Sequence, residues 1–202
     1  MFAERPLRLA PIAHAHLAGV MAVQALAYGD ALLESPEVLG SKLRIPGDTC
    51  WGAFAAPSAP AAAPAGAPFG STLGEGGRAP LPGGGVSRTD AQALCAYAIA
   101  HAVPQGAPLA LNKAVEPVPP QRGDWLYVHD IAVDPAWAGH GLAARLLAEV
   151  LDAGRRLSFS RAMLVAVQGA DVYWARHGFV TQAAPMAMLG FGEGAVWMVR
   201  DL

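Results

Sequence analysis

No stretch of this chain approaches the ~20 continuous apolar residues that a bilayer-spanning helix needs, although 53% of its 202 residues are hydrophobic. Much of that share is alanine. The richest N-terminal run, Leu17–Val23, is cut short by Gln24, follows His14 and His16, and lacks the basic flank and processing site of a signal peptide. The chain is therefore read as soluble and cytoplasmic, with no membrane partner. Cysteine is scarce: Cys50 and Cys95 cannot form a disulfide framework, have no zinc-ligand spacing, and sit in apolar runs where a free thiol packs as a small hydrophobe. Charge of one sign is also missing. With 14 basic and 16 acidic residues, there is no basic face for nucleic acid. His14, His16 and His101 stand in no ligand spacing with acids, so no metal is implied.

What the chain does contain is one domain's worth of core over residues 1–202. Leu7–Ile12 reads as a strand and Ala13–Tyr28 as a helix. Pro36 to about Arg44 reads as a second helix capped by Ser35, and Cys50–Ala55 as a strand. Residues 56–88 are an Ala/Pro tract followed by a Gly-rich one, with few large apolar groups to offset ordering, and are read as a flexible insertion. Ala93–Val103 is a small-residue strand suited to the centre of a sheet, and Pro104–Gly123, with five prolines, is irregular. Trp125–Val133 is a strand, Asp134–Gly141 a turn, and Leu142–Leu157 a helix whose Leu142, Leu146, Leu147, Val150 and Leu151 form one stripe. Strand Ala162–Val167, short helix Asp171–His177 ended by Gly178, and a closing strand pair Phe179–Gln182 and Val196–Arg200 complete an α/β fold with a mixed central sheet and helices on both faces.

The turn before the long helix carries the chemistry. Unpaired amides at a helix N-terminus, with the positive end of its dipole, form an anion site. Gly139 and Gly141 let the backbone approach phosphate oxygens, while Ala143 and Ala144 keep the first turn slim. Gly139-x-Gly141-x-x-Ala144 also fits a dinucleotide fingerprint. The strand ends at Val133, however, with Asp134–Ala138, including Pro135, standing before the first glycine, and no acid closes the next strand, which ends Val167-Gln168-Gly169. No Lys-Ser/Thr pair follows the glycines, which excludes a Walker loop.

The strand WLYVHDIAV, the turn DPAWAGHGLA, the helix after it and the block YWARHGF together resemble the GNAT acyltransferase superfamily. That resemblance implies acetyl-CoA or another acyl-CoA as co-substrate and an amine of a small molecule or protein as acceptor. It implies direct attack of the amine on the thioester, in a monomer or homodimer. The pyrophosphate would rest on amides of Ala138, Gly139, His140, Gly141, Leu142 and Ala143, extending to Ala144, and pantetheine would pair with Ile131, Ala132 and Val133. Trp174 stands where the family usually offers a tyrosine as acid to the leaving thiolate, with Tyr173 adjacent. A non-catalytic acyl-CoA binder or sensor of the same fold is the alternative that Trp174 favours.

Simple alternation puts Tyr127, His129, Ile131 and Val133 on one face of their strand and Val128, Asp130 and Ala132 on the other. An imidazole is the side chain suited to act as a base near neutrality, so His129, Tyr127 and Tyr173 are the candidate catalytic groups. Asp130 is assigned to orienting a neighbour or capping a turn. Acceptor specificity falls to Tyr28–Arg44, Pro104–Gly123 and the chain end, where no constellation is readable.

Overall fold

In a computed structural model the described residues are 7–29, 32–55 and 93–202; the expected insertion at 56–88 lies outside them. Strand β1 (Leu7–Pro11) leads through a 3-10 turn at His14–His16 into helix α1 (Leu17–Ala27). Helix α2 (Pro36–Lys42) starts with proline in its first turn and Ser35 as its cap, the Ser35 hydroxyl accepting from Val38 N–H. Then come β2 (Trp51–Ala55), β3 (Ala93–Val103), β4 (Leu109–Ala110) and β5 (Trp125–Val133). Helix α3 (Leu142–Arg156), β6 (Arg161–Ala166), α4 (Asp171–Ala175), β7 (Val180–Thr181), β8 (Met188–Leu189) and β9 (Val196–Asp201) follow. The two-residue strands β4 and β8, which pair with each other in parallel, lack the length that a period-two pattern needs to be seen.

The main sheet has seven strands in the order β1-β2-β3-β5-β6-β9-β7 and is mixed, β5 and β6 being its parallel pair. Its two faces are buried by different layers. Leu142, Leu146, Leu147, Val150 and Leu151 of α3 pack with Ala53, Ala96, Ala98, Ala100, Leu126 and Val128 on one face. On the other face, Val20 and Val23 of α1 and Leu39 of α2 pack with Phe54, Tyr97, Ile99 and Ala132. The β4–β8 side adds Leu109 and Phe191 over Tyr127, Met163 and Trp197. Alanines on β3 let α3 lie close to the sheet. Both cysteines are buried, their thiols donating to Ala100 and Ala53 carbonyls. No helix among the described residues is long and apolar enough to cross a membrane.

One irregularity of β5 corrects the simple alternation expected above. Ile99 of β3 faces Asp130 and the next residue, Ala100, faces Val128, so His129 has no opposite residue. This is a β-bulge, and it exchanges the two faces beyond it. Leu126 and Val128 face α3 before the bulge, and Ile131 and Val133 pack on that same layer after it. Tyr127 and Ala132 belong to the opposite face. His129 therefore shares its side with Tyr127, Asp130 and Ala132 and not with Ile131 and Val133.

Candidate active site

The parallel pair β5–β6 is joined at Leu126↔Ala162 and Tyr127↔Met163 and no further. Past Tyr127 the strands diverge, and the edge of β5 carrying Ile131, Ala132 and Val133 has no partner strand among the described residues. A cavity of about 300 Å³ occupies this gap. Its walls include His129, Asp130 and Ile131 of β5, Leu164 and Val165 of β6, Ala143 of α3 and Tyr173 and Trp174 of α4. Gln24, Tyr28, Glu34 and Phe191 close it from the other face of the sheet. The cavity thus runs through the sheet from one helical layer to the other.

At one end of this gap stands the glycine turn. Asp134 caps the 3-10 turn Pro135–Trp137 by accepting from Ala136 N–H at 2.8 Å. Gly139 (φ +78°) and Gly141 (φ +68°) adopt the left-handed conformation that favours glycine, and a Cβ at either would meet no atom within 4 Å. The space above the turn is open, as an anion cradle requires. Helix α3 begins here, its Arg145 N–H donating to Gly141 O, so the amides of the first turn precede the intrahelical ladder. Ala138 is an exception among the expected amides: its N–H is already given to Pro135 O at 3.1 Å. His140 is exposed and turns Nδ1 onto the Trp137 and Ala138 carbonyls, which makes it a brace for the turn.

At the other end lies a cluster of charges of which the sequence reading had only His129 and Asp130. Glu34 Oε2 lies 2.7 Å from His129 Nε2 and 2.7 Å from Lys42 Nζ, while Lys42 Nζ lies 2.8 Å from His129 Nε2. All three side chains are nearly excluded from solvent, at 2–3% exposure. Glu34 Oε1 accepts from Lys42 and from Asn112 N–H, each at 2.7 Å. The Gln24 amide grips the Glu34 backbone at both N–H and C=O. Burial alone would raise the Glu34 carboxyl, but the His129 hydrogen bond and charge, and then Lys42, outweigh it and hold it at about 2. Burial lowers Lys42, against the pull of Glu34 and Asp130. His129 Nδ1 is buried and has no hydrogen-bond partner.

Asp130 points to a second pair of partners, the hydroxyls of Tyr28 (2.6 Å) and Tyr97 (2.5 Å), so it orients neighbours as expected. Burial raises its carboxyl despite His129 and both tyrosines. The segment Tyr28–Arg44 therefore does carry a constellation, supplied by Tyr28, Glu34 and Lys42. The sequence shows Glu34 and Lys42 among other charged residues of the stretch, Asp30, Glu37 and Arg44; which of them face the site only the fold reveals.

The candidate tyrosines separate. Tyr127 is buried edge-on against His101 and His129, lies outside the gap cavity, and is pushed far up by burial and then by Glu34 and Asp130. A phenol in that state does not exchange protons near neutrality. Tyr173 and Trp174 both line the cavity, with Trp174 also packed edge-on against Phe179 in the core and Tyr173 tilted against His177. Burial raises the Tyr173 hydroxyl.

Comparison with known proteins agrees with this geometry. Residues 83–179 match the model of the acetyltransferase (GNAT) family. The curated proteins contain no match. Among solved structures, a chain of the NatC complex bound to Gag peptide and CoA superposes with TM-score 0.61 at 12% identity, covering 97% of this chain and 98% of that one. PaiA N-acetyltransferase of Thermoplasma acidophilum in complex with coenzyme A gives 0.57 at 10% identity, covering 98% and 99%. The ribosomal-protein-S18-alanine N-acetyltransferase of Escherichia coli gives 0.56 at 13% identity, covering 97% and 94%. At these identities the structures share a fold with the chain, and the family match covers residues 83–179 of it. The divergent parallel strands, the glycine turn and α3 all lie inside residues 83–179, the part of the chain that matches the acetyltransferase (GNAT) family model.

Proposed function

We propose that the protein is an acyl-CoA-dependent N-acyltransferase that uses acetyl-CoA and passes the acyl group directly to an amine. The observation that carries this reading is the cavity through the sheet. It has an open amide turn at one layer and a buried imidazole with one uncommitted nitrogen at the other. Acyl-CoA is a substrate and brings the activated acyl group, so the chain's tasks are orientation and proton handling. Gly139, His140, Gly141, Leu142, Ala143 and Ala144 offer backbone to the pyrophosphate, and Ile131, Ala132 and Val133 offer a strand edge to the pantetheine. The Ala138 amide, already used, has no part in this.

His129 is the proton acceptor. When its Nε2–H donates to the Glu34 carboxylate, the neutral ring bears its lone pair on Nδ1, the nitrogen without a partner. Glu34, held ionised, then stabilises the imidazolium that forms. Tyr127 serves as packing beside His129. Tyr173, on the cavity wall beside Trp174, is the hydroxyl placed to return a proton to the departing thiolate.

The test is a thermal-shift screen of CoA thioesters followed by a panel of amines scored for free thiol. Stabilisation by acetyl-CoA with amine-dependent thiol release is expected. Tight CoA binding without release under any amine would replace this reading with that of an acyl-CoA sensor, which the Trp174 slot favours.

A further inference from the structure

The two ends of the gap cavity differ in chemistry. On the side of α1, α2 and the β4–β8 pair its walls are Tyr28, Leu32, Leu111, Val165, Val167 and Phe191. Four of these, Leu111, Val165, Val167 and Phe191, belong to the apolar cluster under the β4–β8 side. The whole cavity measures about 300 Å³, which is the small end of ligand sites, since these run from roughly 300 to 1,000 Å³.

The polar side chains at this end are already engaged. Glu34 Oε1 accepts from Lys42 and from Asn112 N–H, and Oε2 accepts from Lys42 and meets His129 Nε2, each at 2.7 Å. An ionised carboxylate has about four lone-pair sites, so Glu34 has none to spare. The Gln24 amide is used at both ends, Nε2 donating to Glu34 O at 3.0 Å and Oε1 accepting from Glu34 N–H at 2.9 Å. Asp130 accepts one tyrosine hydroxyl on each oxygen and keeps a lone pair on each. That spare capacity sits on β5 beside its free edge, where the nitrogen that attacks a thioester has to be. Hydrogen bonding is thus offered close to β5 and hydrocarbon further out.

Glu34 adds an electrostatic bias. Against the effect of burial, His129 and then Lys42 hold its carboxyl ionised, at about 2. A carboxylate carried by an acceptor would meet it as a like charge in a poorly hydrated space. A second ammonium on an acceptor would lie against Leu111 and Phe191, with Glu34 already saturated, and buried charge without a partner is strongly disfavoured.

We propose that the acceptor is a small primary amine on an apolar body, an arylalkyl or branched alkyl amine whose one polar group is the reacting nitrogen. This deepens the N-acyltransferase reading and rests on it. In the transfer the nitrogen of the ammonium form bonds to the acyl carbon and the carbon–sulfur bond breaks. One proton passes to the thiolate and a second to His129, leaving a neutral amide and CoA thiol.

The experiment measures kcat/KM at saturating acetyl-CoA for matched acceptors: phenethylamine against phenylalanine, and isopentylamine against leucine. Within each pair the body is the same and the amino acid adds a carboxylate. Spermidine and a hexapeptide with a free N-terminus complete the panel. Each simple amine should exceed its amino acid about a hundredfold or more, and spermidine and the peptide about tenfold or more. Leu111→Arg puts a cation on a half-buried stretch of the apolar wall. It should cut the preference for phenethylamine over phenylalanine about tenfold or more, with KM for acetyl-CoA unmoved. Equal or better use of the amino acids, spermidine or the peptide by the parent overturns the apolar class and leaves the acyltransferase reading standing. An unmoved preference in folded Leu111→Arg overturns it equally, and the parent's panel decides alone where the variant does not fold. Absence of thiol release with every acceptor overturns the acyltransferase reading, and the class with it.

Discussion

Glu34 and His129 meet at 2.7 Å between Oε2 and Nε2, bringing the loop before α2 against the bulge of β5 across 95 residues of sequence. Lys42 shares both partners, so the base and its counter-charge are held by a third buried charge.

That arrangement makes His129→Gln the sharpest test of the mechanism. Glutamine keeps a donor for Glu34 and cannot titrate. Turnover at neutral pH should fall by about 10²–10⁴, while CoA binding measured by calorimetry stays within a few-fold. The rise of rate with pH that an imidazole base produces should be absent. Parent-like turnover and pH profile would show that His129 is structural.

Breaking the Glu34–Lys42 pair from one side strips a buried charge of its salt-bridge partner, a loss that typically costs about 3–5 kcal/mol. Glu34→Gln and Lys42→Met should each lower the melting temperature strongly, and the double variant should lose less than the sum of the two. Strict additivity in chemical denaturation would mean the charges do not depend on each other.

The pH dependence of stability follows from Glu34. Its carboxyl is lowered in the fold from 4.5 to about 2. The stability it contributes is therefore complete above about 4.5 and is lost as the pH falls from there towards 2. Acid titration of the melting temperature should show this loss in the parent and a shallower one in Glu34→Gln.

Gly141→Val puts a branched side chain at φ +68°, in space the protein leaves empty. Charge-assisted hydrogen bonds of about 1.5–3 kcal/mol each are at stake if a pyrophosphate sits there. CoA affinity should drop at least tenfold with the fold retained. Undiminished CoA binding by the folded variant would remove the turn from the site.

Ala55 and Ala93 are opposed across β2 and β3. Replacing residues 56–92 by Asn-Gly would close a two-residue hairpin, and shortening a flexible loop changes closure entropy by only ~0.6 kcal/mol per halving. From residues 56–92 to two is about four halvings, so the melting temperature should hold or rise. A large fall would show that the replaced residues pack on the core, and an unchanged fold with lost turnover would assign them to the substrate.

The order of the main elements along the chain and the glycine turn were legible because they are written in local pattern: the stripe of α3, small residues on β3, and glycines between a strand and a helix. Ser35 as a cap and Gly178 as a stop are local in the same way. The charge triangle was not legible, because Glu34, Lys42 and His129 come from three elements and nothing in the sequence around each names the other two. Tyr28 and Tyr97 on Asp130 are hidden for the same reason. The face of Ile131 and Val133 was misread for a subtler one: alternation counts residues, and a bulge adds one without leaving a mark in hydrophobicity.

That extra residue makes β5 a strand of two phases. Upstream of 129 it keeps step with the layer of Tyr127 and the β4–β8 side; downstream the beat is reversed, and the free edge at Ile131–Val133 takes its orientation from α3. An imidazole placed at the change of phase answers to neither rhythm. Substitutions that re-tune one half of the strand therefore need not disturb the other, whereas deleting a single residue there would re-phase the free edge and scatter the charges in one stroke.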